Sequence, residues 1–534
     1  MRRLPILLLL IALTASFAPA QKAPGPIATG ATARAARAFD TAKQQGPLAL
    51  RDFLVDMPKG ADLHVHLAGA IYAESFLRAA GEDGLCIDAK ALKFDKAETA
   101  GCGAIKLNPD KSCPLTVPDL VSAASLLQTM KCPASQDLYD KLINSFSLRS
   151  FVPYAGWSGH DQFFATFGKF SGTDKRHAGE YIDEVASRAA AQNEQYMELM
   201  DTPPFGHAAT IANQIGWDPN FAQLRQKLLS SGLDDEIATA KEHAESALAL
   251  RNKLEHCSES NAAAACKVQI RFIYQILRDN PKEQVFAQTL LGFETISKLS
   301  GEFVGINFVQ PEDTYLSMAD YTLQMQMMDF LHSVYPNVHI TLHAGELAPG
   351  MVPPEGLRFH IRQAVELGHA ERIGHGVDVM YEDATPTLLK EMAAKHVMVE
   401  INLTSNDGIL GIKGADHPLP IYRRAGVPVA LSTDDEGVSR IDLTHEYVRA
   451  AEDFNLSYAD LKQMARTGME HNFLPGKSLW AKADAFTTPA TECAGQPPGS
   501  DKPSAKCKAF LDTNEKAAAQ WEQERRFRTF EAQW

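Results

Sequence analysis

The 534-residue sequence contains no apolar run long enough to cross a membrane. Its one marked hydrophobic stretch, Leu4 to Leu13, falls short of the roughly 18 residues that a spanning helix needs. Basic residues are in deficit, 52 Lys and Arg against 66 Asp and Glu, for a formal net charge of −14. That balance argues against the basic patch with which proteins neutralise phosphates. Nucleic acid is therefore not an expected partner, and a small neutral or cationic ligand is easier to accommodate. The eight cysteines never stand at a Cys-x-x-Cys spacing, which speaks against a zinc ribbon and against Cys-ligated zinc deaminases. No glycine-rich phosphate loop follows the first apolar strand, as a doubly wound nucleotide-binding sheet would require.

What is present begins with Arg2 and Arg3, the apolar Leu4 to Leu13, and Ala18-Pro19-Ala20. Residues 1–20 read as a secretory signal peptide cleaved after Ala20, which places the chain in the periplasm or outside the cell, off the membrane. Export implies an oxidising compartment where cysteines pair. Cys257 with Cys266 and Cys493 with Cys507 flank short loops and are predicted disulfides. Cys86, Cys102, Cys113 and Cys132 allow three pairings, which spacing does not resolve.

Residues 21–50 are rich in Ala, Pro and Gly, with a helical patch from Ala31 to Lys43, and form a lead-in. Strand-length apolar runs then recur at 61–67, 196–200, 268–277, 303–309, 338–343, 372–377, 397–403 and 427–432. Amphipathic stretches such as Leu316 to Val334 and Thr385 to Lys395 separate the later ones. This alternation predicts parallel strands joined by right-handed crossovers. Eight units make an α/β fold, a (β/α)₈ TIM barrel over residues 51–485, with a doubly wound open sheet as the alternative. The weakly patterned interval 84–150 with its four cysteines reads as an insertion after the first strand, covering the mouth of the site or an oligomer surface. Residues 486–534 form a C-terminal extension, a disulfide-closed loop followed by a charged helix over 514–528 on the barrel exterior.

Four motifs end predicted strands: His64-Val65-His66, Leu342-His343-Ala344-Gly345-Glu346, Gly374-His375-Gly376 and Ser432-Thr433-Asp434-Asp435. In a barrel, reactive groups sit at that end. Residues two apart on a strand face the same side, so His64 and His66 can reach one ion. Alone, such a pair is more often incidental than metal-binding. With His343 on strand five and Asp434 on strand eight, it completes three imidazoles and a carboxylate, a donor set suited to Zn²⁺. Glu346 overhangs the metal without binding it and can hold or trade a proton, or else is a helix-start residue favoured by the dipole. His375, between two glycines, is placed to hydrogen-bond the attacking hydroxide, or is a structural barrel histidine. Asp434 is assigned to the metal and Asp435 to the ligand, roles the two exchange if the turn begins at Ser432. Asn402, Ser405 and Asn406 are candidates to hold these groups, although turn formation explains them equally well.

MPKGADLHVHLAGA, TLHAGE, RIGHGVD and LSTDDEG together resemble the adenosine deaminase family in order and spacing. The opening Met57-Pro58-Lys59-Gly60, the exported context and the cysteine-bearing insertion are similar to its secreted, growth-factor-related branch. The resemblance runs from about Pro58 to Leu474. It implies one Zn²⁺ per subunit on His64, His66, His343 and Asp434. Glu346 would protonate a purine ring nitrogen, His375 would orient the hydroxide, and Asp435 would bond the other ring. The run Trp157 to Phe167, with Phe163, Phe164 and Phe167, resembles an apolar lid helix, and reads equally well as ordinary helix core. Two positions depart from the family pattern. Leu67-Ala68-Gly69 stands where a carboxylate usually grips the sugar. Gln310 stands where a glycine usually offers its backbone N–H to the purine.

The expected function is an exported zinc aminohydrolase that deaminates adenosine or a related 6-aminopurine nucleoside, releasing ammonia. The alternatives are a zinc hydrolase of another amino-heterocycle or amide, and a catalytically silent extracellular binding protein. Sequence leaves the oligomeric state open, a dimer included.

Overall fold

The computed structural model describes residues 30–95, 101–299 and 301–534. The expected signal peptide lies outside the described residues.

Eight parallel strands follow one another in space as in sequence: β1 (Gly60–His66), β2 (Glu194–Asp201), β3 (Gln269–Leu277), β4 (Phe303–Val309), β5 (His339–Ala344), β6 (Arg372–His375), β7 (Met398–Ile401) and β8 (Val429–Leu431). Each apolar run predicted as a strand forms one. Every residue of β4 is buried, the pattern of a strand covered on both faces. Helices alternate with the later strands; Tyr321–Val334 and Thr385–Lys395 occupy the predicted amphipathic stretches. The sheet closes just beyond β8, where Asp434 N donates to His64 O (2.8 Å) and His66 N donates to Asp434 O (3.2 Å). The fold is a nearly closed (β/α)₈ barrel. The open-sheet alternative fails because β1 meets the segment after β8.

Between β1 and β2 stand a small antiparallel sheet of Cys86–Asp88, Lys93–Asp95 and Leu120–Ser122, then helices Pro133–Ser145, Gly159–Phe170 and Asp174–Ala191. Disulfides join Cys86 to Cys102 and Cys113 to Cys132, which selects one of the three pairings, and the two local pairs close as predicted. Phe94 packs edge-on against Phe146, and Phe146 against Phe170 at the end of the 159–170 helix. The small sheet thus props that helix from behind.

The opposite end of the barrel is plugged. Helix Glu515–Glu531 lays Ala519 against Ala61, Leu63, Tyr196, Met398 and Ala430 from four strands, and Gln195 Nε2 donates to Ala519 O (2.7 Å). The expected exterior helix therefore caps the barrel end. Gly60 (φ 74°) lies beneath it, where a Cβ would strike Gln523 and Met469. The first helix, Gly30–Gln45, joins this floor through Phe39, which meets Phe53 and Tyr458.

Candidate active site

At the other end of the strands, His64, His66, His343 and Asp434 each offer a ligand atom within 4.8 Å of all the others. Their placement follows from the strands. His64 and His66 point inward from β1, His343 ends β5, and Asp434 sits in the closing turn at φ 61°, a strained conformation for a non-glycine residue. His343 pairs in register with Gly374 of β6. Glycine is required there, because a Cβ would come within 2.6 Å of His64 Cε1.

Each imidazole has its Nδ1 committed. His64 Nδ1 donates to Glu400 Oε2 (2.6 Å), His66 Nδ1 to Gln275 Oε1 (2.8 Å) and His343 Nδ1 to Asn307 Oδ1 (3.0 Å). The Asn307 orientation is fixed independently, since its Oδ1 also accepts from His343 N, and the Gln275 amide is held at its other end by Thr202 Oγ1. Only the Nε2 atoms remain, and they converge. Those of His66 and His343 lie 3.2 Å apart, and Asp434 Oδ1 is 3.3 Å from His66 Nε2 and 3.5 Å from His64 Nε2. His64 Nε2 and Asp434 Oδ1 are buried without a hydrogen-bond partner. Imidazoles whose outer nitrogens are anchored and whose inner nitrogens converge on a carboxylate fit a divalent ion. Two carboxylates, Glu400 and Asp434, face His64 and make the cradle attractive to a cation.

Beside this cradle lie Glu346 and His375. Glu346 is buried, and burial together with the carboxylates of Asp434 and Glu312 holds its carboxyl well above the usual range. Its position is set by Glu312, whose carboxylate accepts from Gly345 N (3.0 Å) and Glu346 N (2.8 Å) and is gripped by His360 Nδ1 (2.5 Å). Burial would raise Glu312, but His360 outweighs it and keeps that carboxylate near 2.

His375 (φ 68°) is oriented by a relay that fixes its tautomer. Leu419 N donates to His417 Nδ1 (3.1 Å), so His417 Nε2 carries the hydrogen and donates to Asn406 Oδ1 (3.0 Å). Asn406 Nδ2 therefore donates to His375 Nδ1 (2.9 Å), and His375 presents Nε2–H to the site, 3.7 Å from Asp434 Oδ2. Burial keeps His375 and His417 neutral, each pushed down to about 3.

A cavity of about 330 Å³ opens in front of these groups. Phe163, Phe164 and Phe167 line it together with Gln310, Glu346, His375, Asp434 and Asp435. The three phenylalanines project from the 159–170 helix, which opens on a capping box of Ser158 and Asp161. Gly159 lies so close to Gly408 O that any Cβ would collide, which seats this helix against 403–410. Trp157, expected among the ligand contacts, does not line the cavity. It precedes the cap, in a turn where Tyr154 and Trp157 exchange backbone hydrogen bonds, and its Nε1 donates to Gln162 Oε1 (3.2 Å). Gln310 lies at φ 86°, and its side chain turns aside so that Oε1 accepts from Asp279 N (2.8 Å). Asp435 reaches the cavity across Gly69, where a Cβ would overlap its carboxyl. Burial and neighbouring Asp434 push Asp435 well above the usual range, and its Oδ1 is unpartnered.

Gln275, Asn307, Glu312, His360, Glu400 and His417 escaped sequence reading. Each is a single polar residue within an apolar strand or a loop, except His360, which opens the helix His360–Glu366. The one local signal is a polar residue at an inward position of a β-strand, as for Gln275, Asn307 and Glu400.

A parallel barrel with anchored histidines and a carboxylate at its strand ends defines the class, a barrel whose strand ends could hold a divalent ion. The family follows from comparison. Residues 183–485, more than half of the chain, match the adenosine deaminase family model, and the chain belongs to that family. The matched span holds His343, Glu346, His375, Asp434 and Asp435; His64 and His66 lie before it and join the site through barrel closure. An adenosine deaminase of Shewanella loihica is 38% identical over 146 residues, 27% of this chain and 41% of that protein. One of Clostridium perfringens is 31% identical over 183 residues, 34% of this chain and 47% of that protein. The chain thus spans less than half the length of the curated relatives it matches. A solved adenine deaminase of Arthrobacter aurescens superimposes with a TM-score of 0.48 at 16% identity, over 78% of this chain and 94% of that one.

Proposed function

We propose that the protein is an exported zinc-dependent aminohydrolase that converts adenosine or a related 6-aminopurine nucleoside to the 6-oxo product and ammonia. One observation carries this reading: the three Nε2 atoms and Asp434 converge beside a buried carboxyl, Glu346, whose surroundings favour its protonated form. A binding protein needs no such proton-transfer group.

His64, His66, His343 and Asp434 would hold the ion. Zinc bound there supplies Lewis acidity that brings the pKa of a water towards about 7. The chain's own groups do the rest. His375, fixed with Nε2–H inward, donates to the water oxygen and holds it against the amine-bearing carbon. Glu346 gives its proton to the adjacent ring nitrogen, so that charge gathering on the ring in the transition state is neutralised. Asp435 meets the other ring, and Phe163, Phe164 and Phe167 cover the heterocycle and exclude water. As the water oxygen joins the ring carbon and the carbon–amine bond breaks, one water proton restores Glu346 and the other goes to the amine, which leaves as ammonia from the 6-oxo product.

Export rests on the signal-like first twenty residues and agrees with four disulfides closing all eight cysteines. The cysteine-bearing sheet behind the lid helix supports placement in the secreted, growth-factor-like branch. A second reading, hydrolysis of another amino-heterocycle, is favoured by Ala68 and by Gln310 at the purine edge. Ultraviolet absorbance and ammonia release decide between them, with the zinc-loaded chain offered adenosine, deoxyadenosine, adenine and adenosine monophosphate. Turnover of adenosine is expected. Zinc-loaded protein inert on all four would overturn the proposal.

A further inference from the structure

The aim of Asp435 depends on the backbone that carries it, because its Oδ1 is buried without a hydrogen-bond partner. That backbone is pressed onto the turn after β1. A Cβ on Gly69 would overlap the Asp435 carboxyl, and one on Gly437 would come within 2.2 Å of Ile71 O. A third element sets the register of the two turns. Arg188, in the last turn of helix Asp174–Ala191, donates from Nη2 to Ala70 O (2.6 Å) and to Glu436 Oε1 (2.7 Å), the side chain next to Asp435 in sequence. One turn earlier on that helix, Glu184 Oε1 accepts from Tyr72 N (3.1 Å). Tyr72 closes the circuit: the guanidiniums of Arg188 and Arg440 stand 4.5 Å and 5.2 Å from its ring centre, and its hydroxyl donates to Ile441 O (2.9 Å). The Arg188–Glu436 pair is 12% and 3% exposed, a depth at which either charge alone would be costly. Asp434 is pinned separately, by its backbone bonds to β1 and by Asp62 Oδ2, which accepts from Thr433 N (3.1 Å) and Thr433 Oγ1 (2.7 Å).

We infer that Arg188 is a positioning residue: through Glu436 and Ala70 O it clasps the turn after β8 to the turn after β1, and so holds Asp435 where it meets the ligand. This role rests on the aminopurine reading, in which Asp435 contacts the substrate, and deepens it. Because Asp434 has its own anchors, the clasp governs substrate binding and leaves the metal cradle intact.

A double-mutant cycle in the full metal-loaded chain tests this, with adenosine as substrate. Arg188→Met should raise KM about tenfold, the cost of a misplaced hydrogen bond in a buried site, with zinc content unchanged and kcat nearly so. In an Asp435→Ala background the same substitution should change KM by less than about twofold, because the group it positions is gone. Arg188→Lys, which keeps a cation between Glu436 and Ala70, should recover most of the loss. Should Arg188→Met not fold, Glu436→Gln carries the same cycle from the other side of the pair. Amide exchange followed by mass spectrometry reads the clasp without turnover: residues 67–72 and 436–441 should exchange faster together in Arg188→Met. The role is overturned if KM is unchanged, if it rises equally with and without Asp435, if zinc is lost, or if neither turn exchanges faster. A parent inert on every aminopurine would refute the underlying reading instead, and the exchange experiment would still decide the clasp.

Discussion

Lys59 and His64 are five residues apart at opposite ends of one strand, both wholly buried, and they are treated in opposite ways. Lys59 Nζ donates to the carbonyls of Leu54 (2.7 Å), Val55 (3.2 Å), Met57 (3.1 Å) and Gln192 (2.6 Å). It ties off the C-terminal ends of the 47–56 and 174–191 helices, whose carbonyls take its hydrogens even though burial pushes the amine down to about 7. His64 has one nitrogen anchored on Glu400 and the other without a partner. Burial is tolerated at the floor because every donor is answered; at the rim a basic atom is left unanswered and aimed at three other ligands. The Lys59 of the Met-Pro-Lys-Gly motif is therefore architecture, and the His-x-His that follows is chemistry. One side chain connects the two ends: Arg372, inside the barrel, pairs with Glu198 towards the floor and with Glu400 beneath His64, each at 2.6 Å.

Substitutions can break this contrast. Asp434→Ala should have the largest effect, abolishing both metal content by atomic emission and turnover; retained metal would remove Asp434 from the cradle. Glu346→Gln should keep the metal while kcat falls by about 10²–10⁴-fold, the range for general acid catalysis. Normal turnover in that variant would refute the proton role. At the floor the expectation reverses. Lys59→Met strands several carbonyls and should cost about 2–4 kcal/mol in denaturant unfolding, with the folded fraction keeping its metal and specific activity. His417→Ala removes the far end of the relay and should lower kcat by about 10–100-fold with metal retained; an unchanged rate would mean that Asn406 holds His375 unaided.

The smallest effect is on acid stability. Burial, with Arg449 nearby, lowers His417 from 6.5 to about 3. Between those values the unfolded chain takes up a proton that the folded one does not, so stability declines as pH falls from 6.5 towards 3. Melting temperatures across that window should fall less steeply in His417→Ala than in the parent.

The strands were legible because apolar runs of strand length recur between helical stretches, and four motifs at strand ends mark the site even where the chain between them is weakly patterned. Other features were not. Cys86 can meet any of three partners by spacing alone, and only the pairing of 86–88 with 120–122, to which Gly103 is bridged at Val121, sets it near Cys102. Trp157 shares the aromatic run of the lid but lies outside its cap, a difference of one turn that composition does not record. Glu312 and His417 act between neighbouring strand ends on Glu346 and, through Asn406, on His375, and a contact between residues far apart in sequence leaves no local trace. The terminal helix looked like an exterior element because its charges dominate; the small Ala519 that lets it approach the barrel floor is inconspicuous.

The most direct test of the central claim is calorimetric titration of zinc into the chelator-treated full chain, with deaminase activity followed in parallel. The account predicts one ion per chain, activity returning in proportion to occupancy, and no binding at this site in Asp434→Ala. Activity that persists without metal, or zinc uptake indifferent to Asp434, would contradict it.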